Sequence, residues 1–189
     1  MQQSFDIIFA TSNKFKFAEA KIILSKYDIR LGRKRITLQE IQSDNSNEIA
    51  KQKALFAYDK LSNPVVIEDD GLFVDSLNGF PGPYSKYVYS TIGNKGILKL
   101  LHGKNRKASF RFVVGYCNNG KTVKLFRSVE HGHISMKESR GGWGYDPIFI
   151  PVGKNKTYSQ IDKNEISHRY MAFRSFAKWF VRMRQSSDL

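Results

Sequence analysis

The sequence predicts an α/β fold, because short buried strands alternate along the chain with segments of helical periodicity. Residues 5–10, FDIIFA, are typical of a buried strand, and residues 65–67, VVI, are three consecutive β-branched residues. After the first strand, apolar residues recur at helical spacing: Phe17, Ala20, Ile23 and Leu24. A chain of 189 residues can bury a sizeable core, so we expect one domain over residues 1–189.

Composition narrows the class of protein. The chain is 41% hydrophobic and 13% aromatic, which excludes a disordered protein, and no apolar run approaches the length of a membrane span. The start, MQQSFDIIFA, lacks the basic segment of a signal peptide, and the single Cys117 excludes an intramolecular disulfide. We therefore expect a cytoplasmic protein with no membrane partner. Lys and Arg exceed Asp and Glu by 31 − 17 = 14, and such a surface attracts polyanions: nucleic acid, nucleotides or acidic membranes. Charge alone does not choose among them.

Patterns along the rest of the chain predict further elements. An Asn45–Glu48 capping box starts a helix near residues 47–61, and Asp162 with Glu165 has the same spacing before a last helix. The other predicted elements are a strand and turn at 29–37, a rigid turn at 79–83, a helix at 94–101, strands at 109–117 and 122–129 around Asn119-Gly120, a short strand at 147–151, and the last helix at 163–184.

Three adjacent acids follow the apolar run VVI. Glu68, Asp69 and Asp70 repel one another at the end of a predicted strand, and Gly71 comes next. A divalent metal with oxygen ligands would offset that repulsion, although a solvated acidic turn is the alternative. The apolar run resumes at Leu72, so the acids lie inside ordered structure, which favours a site.

A polar turn links the first strand to the first helix. Its residues Thr11, Ser12 and Asn13 are good N-cap residues, and a helix start behind a strand offers backbone N–H groups to an anion. Lys14 or Lys16 could add positive charge; the alternative is an ordinary capped helix. Lys53, beside the apolar stripe of the second helix, either snorkels to solvent or reaches into a site.

A glycine-rich loop at residues 141–147, GGWGYDP, carries two aromatic residues and an acid. Glycines let the backbone approach a ligand closely, and an exposed Trp143 offers a stacking face for a base; the alternative is a tryptophan that plugs the core. Lys163, His168 and Arg169 lie at the start of the last predicted helix. Cations there are unfavourable with respect to the helix dipole, which makes them candidates for ligand contacts.

Two further motif matches are disfavoured. Residues 115–122, GYCNNGKT, satisfy the P-loop pattern, but an alternating strand follows where the motif requires a helix. His131 and His133 are spaced to share one strand face, but no third zinc ligand is near them in the sequence.

These segments together resemble the inosine triphosphate pyrophosphatase family, the noncanonical purine nucleotide (XTP/dITP) diphosphatases, and most of all its archaeal members. The match runs in order over nearly the whole chain. It comprises ThrSerAsn with Lys16, Glu40, Lys53, the acid segment at Glu68, GlyPheProGlyProTyr, TrpGlyTyrAspPro, Lys163 and SerHisArg.

The resemblance implies an elongated mixed β-sheet flanked by helices, two lobes around a central cleft, and a homodimer. It implies hydrolysis of ITP, dITP or XTP to the monophosphate and pyrophosphate with Mg²⁺. Glu40 and Asp69 would hold the metal with help from Glu68, and Asp69 would accept the proton of the attacking water. The implied substrate contacts are Thr11, Ser12, Asn13, Lys14, Phe15, Lys16 and Lys53 at the phosphates, and Trp143, Gly144, Tyr145, Asp146, Lys163, His168 and Arg169 around the base.

Two points qualify the carried-over roles. Asp70 stands where the family usually has Ser or Thr in a substrate contact, and its charge alters that contact. Arg169 can donate to a purine O6 but cannot accept from the adenine amine, and it cannot by itself exclude guanine. A nucleic-acid-binding module remains the competing hypothesis, but three carboxylates repel a phosphate backbone, so we expect no nucleic-acid partner.

Overall fold

The structure is a computed structural model that describes residues 5–39, 41–163 and 166–187. Within these residues the strands are β1 (Ile7–Ala10), β2 (Leu31–Lys34), β3 (Val65–Val74), β4 (Lys107–Cys117), β5 (Lys124–Ile134) and β6 (Phe149–Pro151). The α-helices are α1 (Lys14–Ser25), α2 (Ser46–Leu61), α3 (Ser85–Thr91), α4 (Gly93–Leu100) and α5 (His168–Ser187).

The strands form one mixed sheet in the order β2-β1-β3-β4-β5-β6. β1 runs parallel to both of its neighbours, with Ile8 opposite Gly32 on one side and Val65 on the other. β6 runs antiparallel to β5. The predicted α/β fold with a mixed sheet flanked by helices is thus confirmed. Among the described residues, no helix combines the length and apolar character needed to cross a membrane.

The chain divides into two compact units. The first unit comprises the described residues up to Asp69, then Phe112–Ser128, then those from Arg169 onward; the second comprises Asp70–Arg111 and Val129–His168. Three of the boundaries fall inside β3, β4 and β5. The expectation of a single domain over residues 1–189 stays a prediction.

In the first unit, helices cover both faces of the sheet. Val66 of β3 lies in a core with residues of α1 and α5, such as Leu24 and Phe173. Val65 and Ile67 lie in a separate core with the alanines of α2. Because successive side chains of a strand point to opposite faces, α2 lies on one face of the sheet and α1 and α5 lie on the other.

The second unit has its own core, built on the far part of β3. Leu72 and Val74 pack there with Ile97 of α4 and with Phe149 of β6. Gly71 sits where β3 meets the turn at Gly82: a Cβ on Gly71 would lie 2.5 Å from the carbonyl oxygen of Gly82. The rigid turn predicted at residues 79–83 is therefore held directly against the strand.

Several predicted elements are confirmed. The two strands around Asn119-Gly120 are neighbours in the sheet, and Asn119 Oδ1 accepts from the backbone N–H groups of Lys121 and Thr122. A loop as short as 118–123 can join only antiparallel strands, so the pair is a hairpin. A strand and not a helix follows Lys121, which agrees with the rejection of the P-loop.

Other boundaries differ from the predictions. β3 continues through the three acids, which were expected at its end, and α5 begins at His168 instead of Lys163. Asn45 caps α2 through Asn47 N, but Glu48 accepts from the hydroxyl of Ser43, so the expected reciprocal capping box is absent at these described residues. β1 is shorter than predicted, and α3 was not predicted at all.

Candidate active site

β3 presents its first two acids to opposite faces of the sheet. Val66 packs toward α1 and α5, so Glu68, two residues on, points the same way. Ile67 packs toward α2, and so does Asp69. The contacts agree, because Glu68 meets Lys16 of α1 and Asp69 meets Lys53 of α2.

Glu68 is the centre of a buried ion network. Its Oε1 lies 2.9 Å from Lys16 Nζ and 2.9 Å from Arg169 Nη2, and its Oε2 accepts from Arg169 Nε at 3.1 Å. Arg169 Nη1 donates to Glu19 Oε2 at 2.7 Å, and the guanidinium lies over the ring of Phe112. The side chains of Glu68 and Arg169 are each 2% exposed. This forked pair, shielded from water, fixes both side chains strongly.

The network bears on two predicted roles. Both oxygens of Glu68 already accept from cations, which favours an anchoring role over metal ligation. A guanidinium has five N–H groups, and three of those of Arg169 point to Glu68 and Glu19. The metal role of Glu68 and the base contact of Arg169 stay predictions.

Lys53 and Asp69 form a second ion pair. Lys53 Nζ lies 3.1 Å from Asp69 Oδ1, and Lys53 is 6% exposed, so the lysine reaches inward from α2 and does not snorkel to solvent. Asp69 and Asp70 are half-buried. Glu40, the other predicted metal ligand, lies outside the described residues.

The predicted anion loop is a capped helix start. Asn13 is the N-cap of α1, and its side chain accepts from Phe15 N at 2.9 Å and from Lys16 N at 3.2 Å. Thr11 is buried, and its hydroxyl accepts from Asn13 N. Ser12 and Lys14 are exposed. Because Asn13 already satisfies two first-turn donors, a phosphate would bind here through side chains or by displacing Asn13.

In the second unit, Asp146 organises the glycine-rich loop. Its Oδ2 accepts from Lys163 Nζ at 2.6 Å and from Trp143 N at 3.4 Å. Lys163 Nζ also lies 5.1 Å from the centre of the Trp143 ring. Trp143 is half-buried, so it does not plug the core. Gly142 has φ +72°, and a Cβ there would crowd Asp146, which explains the glycine.

Tyr145 and His168, both predicted to contact the base, are buried. Tyr145 donates to Ser85 O at 2.8 Å, and burial, with smaller contributions from Tyr89 and Asp70, raises the pKa of its phenol far above the usual value. His168 is 4% exposed, and its ring stacks on Phe110 with centres 4.6 Å apart. Their predicted contacts with the base are untested.

Sequence reasoning missed Glu19 as a partner of Arg169, because 150 residues separate them and no local pattern connects them. His131 and His133, whose sequence context disfavoured a zinc site, lie exposed on β5. Across 5–39, 41–163 and 166–187, no three His, Cys, Asp or Glu side chains gather as a metal site would require.

Comparison with known proteins places the chain in a family. The model of the Ham1 family matches residues 7–179. The chain belongs to the Ham1 family. The chain is 49% identical over 180 residues to the dITP/XTP pyrophosphatase of Methanopyrus kandleri, covering 92% of this chain and 95% of that protein. It is 41% identical to the dITP/XTP pyrophosphatase of Methanosarcina mazei, covering 93% and 97%.

Solved Ham1 structures share the fold. The HAM1 protein from Coxiella burnetii superposes with a TM-score of 0.80 at 27% identity, covering 95% of this chain and 100% of that one. The Ham1 protein of Staphylococcus aureus gives 0.77 at 28% identity, covering 92% and 97%. The family resemblance of the sequence motifs is confirmed.

Proposed function

We propose that this protein is a nucleoside triphosphate diphosphatase that hydrolyses ITP, dITP and XTP to the monophosphate and pyrophosphate, and so removes them from the nucleotide pool. The observation that carries the proposal is the 49% identity, over 92% of the chain, to a dITP/XTP pyrophosphatase. The paired acids and lysines of the first unit support it, because a triphosphate requires cations that spread its charge.

The carboxylates of β3 fit a hard divalent cation. Asp69 offers oxygen donors, the ligand type that Mg²⁺ prefers, and its side chain is not sealed from solvent. We propose that Asp69 and Glu40 hold Mg²⁺. The metal, when bound, neutralises charge on the phosphate oxygens. Glu68 serves instead to hold Arg169 and Lys16, because its oxygens are occupied by them.

The chain's own side chains divide the remaining tasks. Asp69 is the proton acceptor for the attacking water, and Lys53 holds its carboxylate in place at 3.1 Å. Lys16 and Lys53 bind phosphate oxygens in addition to Glu68 and Asp69, because an ammonium group can donate to more than one acceptor. In the second unit, Trp143 stacks on the purine base. Lys163 and Asp146 hold Trp143 in position for that contact.

A panel of nucleoside triphosphates tests the proposal. With Mg²⁺, we expect ITP and XTP to yield pyrophosphate and the monophosphate, and ATP to be hydrolysed far more slowly. Phosphorus NMR identifies the products. Asp69→Asn lowers kcat by about 10³-fold or more, because no carboxylate remains to accept the proton. The matched control is Asp59→Asn, an exposed acid on α2, which keeps wild-type activity. Release of orthophosphate alone, or full activity of Asp69→Asn, contradicts the proposal.

We also propose a cytoplasmic homodimer. The exposed aromatic residues at and beside α3, Tyr84, Tyr87 and Tyr89, support self-association, because soluble monomers rarely expose such a cluster. Multi-angle light scattering at micromolar concentration gives twice the 21.7 kDa chain mass if the proposal holds. A monomer mass at all concentrations contradicts it.

A further inference from the structure

Asn94 lies in the first turn of α4, but its side chain forms hydrogen bonds with a segment distant in the sequence and does not cap its own helix. It is 5% exposed, and α4 has no side-chain cap hydrogen bond. Both N–H bonds of its amide are directed elsewhere: Nδ2 donates to Glu138 Oε1 at 2.8 Å and to Gly144 O at 3.1 Å. These partners are 44 and 50 residues away along the chain.

The two acceptors fix the orientation of the amide. A carboxylate and a carbonyl can only accept, so the NH₂ group must face both of them. The other end of the amide, Oδ1, is buried and accepts no hydrogen bond among the described residues. An unmatched buried acceptor is unfavourable, so the two donated bonds must offset that loss. The donors are the reason for asparagine at this position.

Gly144 is the residue between Trp143 and Tyr145, so Asn94 holds the centre of the glycine-rich loop. The flanking residues are held independently. Asp146 accepts from Trp143 N, and Tyr145 donates to Ser85 O. Gly144 has φ +60° and no side chain to pack against its neighbours, and Asn94 Nδ2 donates directly to its carbonyl.

We propose that Asn94, oriented by Glu138, is a positioning residue that fixes the Trp143 loop and thereby strengthens binding of the purine base. This deepens the function proposed above and rests on it for the step from loop to base. Asn94 touches no substrate in this assignment; it acts through the carbonyl of Gly144. Loosening that carbonyl removes one of the contacts that limit the motion of the Trp143 ring, so binding of the base weakens while the hydrolytic step is preserved.

Tryptophan emission tests the structural step without substrate. The chain has two tryptophans, so Trp179→Phe leaves Trp143 as the reporter. Asn94→Asp replaces both donors by a carboxylate that repels Glu138, and we expect acrylamide to quench Trp143 more readily. The matched control is Asn63→Asp, an exposed asparagine whose Nδ2 also donates to a backbone carbonyl, that of Leu61; it leaves the quenching unchanged.

Glu138 supplies a second variant that does not threaten folding, because its side chain is exposed. Glu138→Ala increases the quenching of Trp143, whereas Glu138→Gln, which keeps an accepting oxygen, retains the original value. Unchanged quenching in both Asn94→Asp and Glu138→Ala would overturn the proposal.

Kinetics tests the step to the base. We expect Asn94→Asp to raise KM for ITP roughly tenfold and to leave kcat within about twofold. A loss confined to kcat, or an unchanged KM, overturns the role in binding the base. If the wild-type enzyme does not hydrolyse ITP or XTP at all, the proposed function fails, and the quenching result still decides whether Asn94 fixes the loop.

Discussion

Glu68 shows how strongly a buried carboxylate depends on its charged partners. Two cations from different helices, Lys16 and Arg169, meet on its carboxylate, and its side chain is almost fully removed from water. Burying charges costs several kcal/mol per ion, and attraction offsets that cost only while every partner is present. Removing one partner therefore leaves an uncompensated charge inside the first unit.

We predict that Glu68→Gln destabilises the protein by about 3 kcal/mol, because Arg169 and Lys16 then lose their shared counter-ion. Urea unfolding followed by circular dichroism measures the change. Glu48→Gln, an exposed glutamate bonded to the hydroxyl of Ser43, is the control and shifts stability little. In a double-mutant cycle with Arg169→Met, a coupling energy near zero would contradict the network.

The ion pair of Asp6 with Arg30 makes the stability of the protein depend on pH. Hydrogen bonds from Arg30 lower the pKa of the Asp6 carboxyl from 3.8, with burial acting in the opposite direction. A lowered folded-state pKa means stability that is present above pH 3.8 and is lost as pH falls through the folded-state value. Asp6→Asn should therefore lower the free energy of unfolding at pH 7 and match the wild type in strong acid.

Urea unfolding at a series of pH values from 7 to about 2 measures that convergence. The control variant, measured over the same range, is Asp59→Asn, whose carboxyl is exposed. A constant difference between Asp6→Asn and wild type across the range would exclude the Arg30 contact as the cause.

At the scale of elements, β3 and the turn at Gly82 are in direct backbone contact. The oxygen of Gly82 occupies the space where a side chain on Gly71 would begin. Ser85 reinforces the contact, because its hydroxyl accepts from Leu72 N and donates to Gly82 O. The strand and the turn therefore cannot shift independently.

We predict that Gly71→Ala costs about 2–3 kcal/mol, because backbone must move to admit a methyl group. The melting temperature from calorimetry should fall by several degrees. Gly115→Ala, in β4, is the comparison: its φ is not in the left-handed region and the nearest neighbours of a Cβ there lie at 3.2 Å, so its melting temperature should fall less. Equal shifts for the two variants would mean that the close approach at Gly71 carries no energetic weight.

Local patterns predicted the elements whose signals are local. A stretch of only a few residues carries each of three signals: the apolar run of β3, the Asn13 cap and the Asn119-Gly120 hairpin. The same patterns ended β3 too early, because acids are rare in strands, and only the long-range partners of Glu68 explain why the strand continues. α3 was missed, because few of its residues are buried and its helical periodicity is weak.

The candidate site was predictable as a set of residue types but not as a set of contacts. Lys53 and Asp69 came from the family motifs, yet their ion pair joins residues 16 apart on different elements. The pairing of Arg169 with Glu68 spans 101 residues. No spacing rule reaches that far, since the sheet topology brings these segments together.

For the whole molecule, the dominant property is a net charge of +14. A field of this sign attracts a triphosphate before any contact forms, and salt screens that attraction. We predict that kcat/KM for ITP falls severalfold between about 50 and 300 mM KCl at saturating Mg²⁺. Steady-state kinetics at each salt concentration measures it.

A charge-reduced variant separates the field from other effects of salt. Lys178→Glu with Arg182→Glu, both exposed on α5, lowers the net charge to 14 − 4 = +10. Its dependence on salt should be shallower, and its activity in high salt should equal that of the wild type. An identical slope for both proteins would show that long-range attraction does not govern substrate capture.

The alternation of β3 has one more consequence. Glu68, which contacts α1 and α5, and Asp69, which is assigned to the chemistry, are adjacent in the sequence. Their side chains point to opposite faces of the sheet. Sliding β3 by one position against β1, where Ile8 is opposite Val65, would exchange the two acids between faces. A deletion of one residue between Leu61 and Val65 should thus abolish hydrolysis even though Glu68, Asp69 and their lysine and arginine partners are all still present.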